Sequence, residues 1–273
     1  MLCFLLSPRQ IQQLFVHYCA TVFILIIRNA FLVNTAYSAA HRNRIRQVLV
    51  WNMNMENRKL KARKIPNKLS RDRSRRDAEE YRMKALQLGA KDVRIIPASY
   101  VVIDERVRLK CQVPRCHLYG ESANCPPYTP EPREMRRILA KYKCAILFKT
   151  EVSPKADFID DQKWQVEHMK HQRKIHDIAS AIEALAFNDG YYFATGFAAG
   201  GCKTALCGGQ FCQFLDSHRC RFPLKSRPSM EGVGIDVFKL VTKVGWDVYP
   251  IGIQNVDPDS VACAISVGIV FLY

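Results

Sequence analysis

The chain has 273 residues, of which 48% are hydrophobic and 24% charged, with 13 Gly and 13 Pro. This composition excludes collagen, a coiled coil and a wholly disordered chain, and the length suits one large domain or two small ones. The net charge of +16 is concentrated in residues 41–91, which hold 16 basic and 5 acidic side chains, whereas residues 92–273 carry only +3. We therefore expect no specific nucleic-acid partner for the main body.

Residues 1–76 are predicted to be an N-terminal extension, and residues 77–273 a cysteine-rich metal-binding domain. Residues 14–33 are mostly apolar, but Arg28 interrupts them, and the clean apolar run Cys19–Ile27 is shorter than the ~20 residues that span a bilayer. A basic tract with little hydrophobic periodicity follows. Three interpretations stay open: a spurious or disordered extension, a membrane anchor through the apolar segment, and a cleaved signal peptide.

Hydrophobic periodicity and turn residues predict an alternation of helices and strands in the main body. In chain order the predicted elements are a helix over Asp77–Leu88, strands over Val93–Pro97 and Tyr100–Ile103, a helix from Thr129 or Glu131 to Tyr142, a strand over Cys144–Val152, a helix over Asp161–Phe187, a strand over Tyr191–Gly196, a helix over Ser229–Val244, and strands over Asp247–Ile251 and Val261–Tyr273. The pattern predicts an α/β fold, with a mixed sheet, helices packed on it and two cysteine-rich metal-binding loops.

The longest predicted helix places two histidines on its buried face. Steps of four and three residues keep one stripe on a single face of the helix. The stripe consists of Trp164, His168, His171, Ile175, Ile178, Ile182 and Leu185. His168 and His171 are interpreted either as hydrogen-bonded core residues or as groups close to a metal site, and His176 lies off the stripe and is predicted to be exposed.

Four of the eleven cysteines form one tight group in a glycine-containing loop, namely Cys202, Cys207, Cys212 and Cys220. Two tight cysteine groups in a chain of this size favour metal sites over a disulfide scaffold. Four thiolates suit either tetrahedral zinc or an iron–sulfur cluster. Zinc ribbons favour close C-x2-C pairs, which this loop lacks, so we favour a 4Fe-4S cluster and keep zinc as the alternative.

A second group, Cys111, Cys116 and Cys125, supplies only three thiols, and Pro126 follows the last of them. A cluster here needs a fourth ligand, for which the candidates are His117, Cys144, His168, His171 and an exogenous molecule that binds an open iron. A zinc site and metal-free thiols are the alternatives. The sequence thus predicts one or two metal centres, and it predicts Cys144 and Cys263 to be buried small hydrophobes.

The segment after the four-cysteine group offers two further site residues. Arg227 is a candidate partner for an anionic cluster or a substrate carboxylate, and Glu231 is a candidate site residue or a surface charge. Ser229 is predicted to cap the helix that follows.

Four segments in a fixed order carry a resemblance to a known family. They are Cys111…Cys116…Tyr119-Gly120…Cys125-Pro126-Pro127-Tyr128, then Gly190-Tyr191-Tyr192-Phe193-Ala194, then the four-cysteine loop, then Arg227-Pro228-Ser229-Met230-Glu231. In this order they resemble the predicted metal-binding family called domain of unknown function 2284, over about Ala78 to Pro250. The resemblance implies metal binding of the iron–sulfur type in mainly anaerobic prokaryotes, and it implies no particular reaction.

These observations predict an iron–sulfur protein that acts in electron transfer or as an oxidoreductase component, with a redox partner protein or small molecule that the sequence does not identify. The alternatives are a metal carrier or sensor without catalysis and a zinc-stabilised interaction module. Since thiolate ligands persist in a reducing compartment, we expect a cytoplasmic body, with a membrane tether through residues 14–33 as an open alternative.

Overall fold

The computed structural model describes residues 64–67, 70–251 and 256–273, and within the helix that starts at Asp161 it leaves the side chains of residues 161–166 undescribed. The predictions for residues 14–33, for most of the N-terminal extension and for the Trp164 side chain therefore lie outside the described residues. Within the described ranges, no helix has the length and apolar character that crossing a membrane requires.

Helices and strands alternate along the described chain. The elements are α1 (Arg71–Gln87), β1 (Asp92–Pro97), α2 (Glu105–Leu109), α3 (Pro132–Leu139), β2 (Cys144–Glu151), α4 (Ala156–Ile159), α5 (Asp161–Asn188), β3 (Thr195–Phe197), α6 (Cys202–Cys207), α7 (Gln213–Ser217), α8 (Val237–Lys243) and β4 (Ile265–Phe271), with three-residue 3-10 turns at Ala98–Tyr100, Glu231–Val233 and Pro258–Ser260. The predicted α/β class is confirmed.

The four strands form one sheet in the order β1-β2-β4-β3, and every pairing among them is antiparallel. Ala145 and Leu147 of β2 face one apolar cluster with α3 and α8, while Ile146 and Phe148 face a second cluster with α1 and α5. Because helices cover both faces of β2, its apolar run is continuous instead of alternating, as the sequence predicts.

Helix α5 packs directly over a glycine of β4, Gly268. A Cβ atom added at Gly268 would lie 2.4 Å from Cζ of Phe148 and 2.8 Å from Cγ2 of Ile175. The residues of the predicted stripe that reach this interface, Ile175, Ile178 and Ile182, are buried. The contact fixes α5, which carries five of the residues discussed below, against the centre of the sheet.

Two predicted strands are wrong. Residues 100–103 form the end of a 3-10 turn and an isolated bridge between Ile103 and Ile235, and the described part of Asp247–Ile251 has no strand assignment. Val101 and Val248 pack against the apolar cluster on one face of the sheet, and neither segment joins its ladder.

The predicted helix over Ser229–Val244 is also wrong in its first half. Gly234 adopts a positive φ of 85°, which breaks a helix, and Asp236 caps α8 by accepting a hydrogen bond from the Lys239 N–H at 2.9 Å. The Ser229 hydroxyl instead accepts from the Gly232 N–H at 2.9 Å. His176, predicted to be exposed, is fully buried, because the Ser226–Arg227 segment covers it.

Candidate metal centre

The four-cysteine loop begins where β3 ends. Cys202 opens the short helix α6 and Cys207 closes it. Gly208 and Gly209 follow with φ values of 58° and 77°, a left-handed conformation that suits glycine and turns the chain back toward Cys212. Helix α7 then leads to Cys220. Two consecutive glycines therefore provide the tight turn of this loop.

All four thiols of this loop line one small cavity of about 20 Å³. Hydrogen-bond donors surround the sulfur atoms. Asn124 donates to Cys202 Sγ at 3.4 Å, the Ser122 hydroxyl lies 3.2 Å from the same sulfur, and the Phe222 N–H donates to Cys220 Sγ at 3.4 Å. Donors aimed at sulfur in an otherwise apolar pocket stabilise thiolates, which is the form that binds metal.

Burial raises the pKa of the Cys202 and Cys207 thiols, and nearby cysteines add to the effect. Hydrogen bonds from Ser122 and Asn124 act in the opposite direction on Cys202, and Arg221 does so on Cys207. Without metal, these thiols are therefore protonated near neutral pH. Metal binding must release their protons, as it does wherever cysteine is the ligand.

The three-cysteine loop is closed at its base by the buried side chain of Arg108. Its guanidinium donates to the carbonyl oxygens of Thr129 and Pro130, at 3.2 and 2.5 Å, and so ties α2 to the end of the loop. Within the loop, the Cys116 N–H donates to the Cys111 carbonyl at 3.0 Å. The loop is thus a compact, hydrogen-bonded unit.

The thiols of Cys111, Cys116 and Cys125 line a second, larger cavity of about 400 Å³. Cys263, predicted to be a buried hydrophobe, lines the same cavity while its thiol donates to the Asp247 carbonyl at 3.6 Å. Cys144 is only partly buried and lies outside the described lining of both cavities, where burial raises its pKa to about 11.

The two cysteine loops are in direct contact. Besides the Ser122 and Asn124 contacts with Cys202, Lys203 forms an ion pair with Glu121 at 2.9 Å. Burial raises the pKa of Cys125 to about 12, and the charge of Cys202 is the next largest cause.

The loops can approach because position 201 is a glycine. A Cβ atom at Gly201 would lie 2.2 Å from Cδ1 of Leu118 and 3.6 Å from Cys125 Sγ. The two groups of thiols are therefore neighbours in space.

The donor set fits a thiolate-bound metal in its chemistry, with soft sulfur ligands, polar donors beside them and partial burial. All nine cysteines in the described ranges are free thiols. Within those ranges, no three His, Cys, Asp or Glu side chains converge on a point in the manner of a single-ion site. The thiols instead border cavities.

The candidate histidines lie near the three-cysteine loop but differ in their environments. Burial lowers the pKa of His168, and the charges of His117 and His171 contribute, so the three rings are near one another. His171 is hydrogen-bonded to the buried Asp157, with 2.8 Å between Nε2 and Oδ2, and thereby holds α4 against α5. His117 is exposed.

Arg227 and Glu231 occupy different positions. The Arg227 guanidinium donates two 2.8 Å hydrogen bonds to Glu183 of α5. The same carboxylate accepts the Gly196 N–H at 2.6 Å, so Glu183 joins α5 to β3 and the guanidinium ties the Arg227 segment to both. Glu231 lines the 400 Å³ cavity near Cys111, and burial raises the pKa of its carboxyl group.

Sequence reasoning missed four residues of this region: Ser122, Asn124, Gln172 and Cys263. Ser122 and Asn124 precede Cys125 by three residues and one residue, and this proximity is a usable signal. For Gln172 and Cys263, no local pattern identifies the cavity that they line.

No curated protein and no solved structure matches this chain. A family model described as "Predicted metal-binding protein (DUF2284)" matches residues 94–266, a range that includes both cysteine loops and the Arg227–Glu231 segment. This is the family that the sequence motifs resemble. The chain therefore belongs to the DUF2284 family of predicted metal-binding proteins.

Proposed function

We propose that the protein carries iron–sulfur clusters of the 4Fe-4S type, one or two in number, and acts in electron transfer or as an oxidoreductase component. One observation carries the proposal: four cysteines border one small cavity, and a side-chain donor and a backbone donor point at the sulfur atoms of Cys202 and Cys220. Four thiols around a cavity suit a cluster, in which each thiolate binds a different iron. Hydrogen bonds to sulfur are one of the means by which proteins tune cluster potentials.

Cys202, Cys207, Cys212 and Cys220 would hold the first of these clusters. Cys111, Cys116 and Cys125 would hold a second, and these three residues line the 400 Å³ cavity. Such a cluster supplies one-electron chemistry and an iron that can bind an external ligand. The protein's own residues position the thiolates, close the base of the loop through Arg108 and exclude water from Cys125, which is 6% exposed.

Anaerobic purification followed by a visible spectrum and by iron and sulfide analysis tests the proposal. We expect broad absorbance from sulfur-to-iron charge transfer and matching amounts of iron and sulfide. Cys212→Ala should remove one centre, whereas Cys144→Ala, which changes a thiol outside the described lining of both cavities, should leave the metal content unchanged. A colourless protein with bound zinc would refute the iron–sulfur proposal and favour a zinc-stabilised interaction module.

The same proposal places the folded body in the cytoplasm, because exposed cluster thiolates are lost to oxidation elsewhere. Its partner would be a redox protein or a small molecule. Disulfides among Cys202, Cys207, Cys212 and Cys220 in protein taken from native cells would contradict this assignment.

A further inference from the structure

The cavity beside the three-cysteine loop has the size and lining of a small-molecule site. Its volume of about 400 Å³ lies within the range of roughly 300–1,000 Å³ typical of such sites. Its walls are mainly apolar, with Leu118, Met230, Phe238 and Val267 among them. A ligand with an apolar body would therefore be well accommodated.

The charge of the cavity is opposite to that of the protein. Although the chain has a net charge of +16, no Lys, Arg or His is among the described residues that line the cavity. Glu231 is the carboxylate in that lining. Gln172 adds an acceptor, because its Oε1 atom is buried and has no hydrogen-bond partner among the described residues. The cavity is thus lined by two acceptors, the Glu231 carboxylate and Gln172 Oε1, and by no cationic side chain among the described residues.

We propose that this cavity binds a small organic cation, an amine with an apolar body, whose N–H groups donate to Glu231 and Gln172. The apolar body would pack on the wall formed by Leu118 and Phe238. A ligand in this position would lie beside Cys111, Cys116 and Cys125 and would be the substrate of the second metal centre. That role as a substrate rests on the proposed function. Binding of the amine itself does not depend on the metal.

An anionic ligand is disfavoured by the same lining. A carboxylate or phosphate would lose its hydration beside Glu231 without gaining a positive partner from the described lining, and an unpaired buried charge is costly. Thiolates with bound metal would add further negative charge nearby. The chemistry therefore selects cations over both anions and neutral molecules.

Three probes that share a 2-phenylethyl body and differ in the terminal group test this selection by isothermal titration calorimetry: 2-phenylethylamine, 2-phenylethanol and 3-phenylpropionate. We expect the amine to bind at least about tenfold more tightly than the alcohol, since a hydrogen bond to a charged group contributes about 1.5–3 kcal/mol. The propionate should bind most weakly. Equal or tighter binding of the propionate would overturn the proposal.

Two variants identify the acceptors. Glu231→Gln should lower the amine's affinity by at least about tenfold and the alcohol's affinity much less, so that the preference of the cavity for the amine is lost. Gln172→Met, which keeps the shape of the side chain, should weaken amine binding less and provides the test if Glu231→Gln does not fold. Unchanged amine affinity in the folded variants would refute the assignment.

Iron, sulfide and zinc are measured on the same samples, so that the two proposals can fail separately. Metal-loaded protein that shows no preference for the amine refutes the ligand assignment alone. Selective amine binding by protein without iron supports the ligand assignment and refutes the iron–sulfur proposal.

Discussion

Replacing Ser122 by Ala should change both of the proposed clusters at once. The Ser122 side chain is fully buried between the two loops, with its hydroxyl 3.2 Å from Cys202 Sγ. Its hydrogen bond also lowers the pKa of Cys125, although burial is the dominant cause and raises it. The hydroxyl therefore interacts with one thiol from each group.

The expected size of the change follows from the charge of the acceptor. A hydrogen bond to a charged group contributes about 1.5–3 kcal/mol. A reduced cluster carries one more negative charge, so the bond is stronger in the reduced form. If one third of its energy differs between the two states, losing the bond lowers the potential of the four-cysteine centre by about 20–40 mV, since 59 mV corresponds to a tenfold change for one electron. The hydroxyl has one proton to donate, so the shift at the three-cysteine centre should be smaller.

An anaerobic redox titration followed by electron paramagnetic resonance measures this shift. Asn124→Ala is the matched control, because Asn124 donates to Cys202 Sγ at 3.4 Å and should affect the four-cysteine centre alone. We expect Ser122→Ala to shift two signals and Asn124→Ala one. A Ser122→Ala protein with full metal content and unshifted potentials would refute the argument that this hydroxyl links the two centres.

Three further predictions concern stability. Burial and then the charge of Arg227 lower the His176 pKa from 6.5 to about 4, so between these pH values the unfolded chain binds a proton that the folded chain does not. The free energy of unfolding should therefore fall by about 3 kcal/mol as the pH drops from 6.5 to about 4. Urea titrations should show a much smaller fall in His176→Asn. Gly268→Ala should lower the free energy of unfolding by about 1–3 kcal/mol in the same assay, because the added methyl group collides with Phe148 in the core. An unchanged urea midpoint would mean that the core rearranges to accept the methyl group without loss of stability. Arg227→Met should cost about 3 kcal/mol, because Glu183 keeps the Gly196 N–H but loses its positively charged partner, and metal content should stay constant. Metal loss without unfolding would instead support a direct role for Arg227 at the proposed cluster.

Local sequence signals predicted the parts of the fold that depend on local burial and turns. The apolar run Ala145–Phe148 predicts β2, and the 4-3 spacing from His168 to Leu185 predicts the buried face of α5, where Leu185 is only partly buried. Neither pattern reveals strand direction, because an antiparallel strand covered by helices on both faces has the same continuous apolar run as a parallel one. The antiparallel pairing follows from tertiary contacts.

Errors arose where tertiary contacts overrule local preference. The segment that begins at Ser229 has helical composition, yet its backbone bonds to Ala198 on one side and to Val102 and Asp104 on the other. These contacts hold it in an irregular path until Asp236. A sequence pattern that describes only near neighbours does not contain them.

The same limit applies to the candidate site. Spacing grouped the thiols within each loop, and the structure places each group around its own cavity. The adjacency of the two groups depends on a contact between Ser122 and Cys202, which are 80 residues apart, and on the absence of a side chain at Gly201. The sequence alone therefore does not distinguish two separate centres from one coupled pair. The fold is needed for that distinction.

The position of β4 has a consequence for the order of events during biosynthesis. Residues 265–271 occupy the sheet between β2 and β3, yet they follow both cysteine loops in the chain. A ribosome releases the loops first, and the strand that joins their supporting strands emerges only afterwards. Until β4 inserts, β2 and β3 have no common partner, and such distant pairings form slowly. The nascent thiols thus pass through a period without their final scaffold, and the cell must either deliver metal after the sheet closes or protect the thiols until it does.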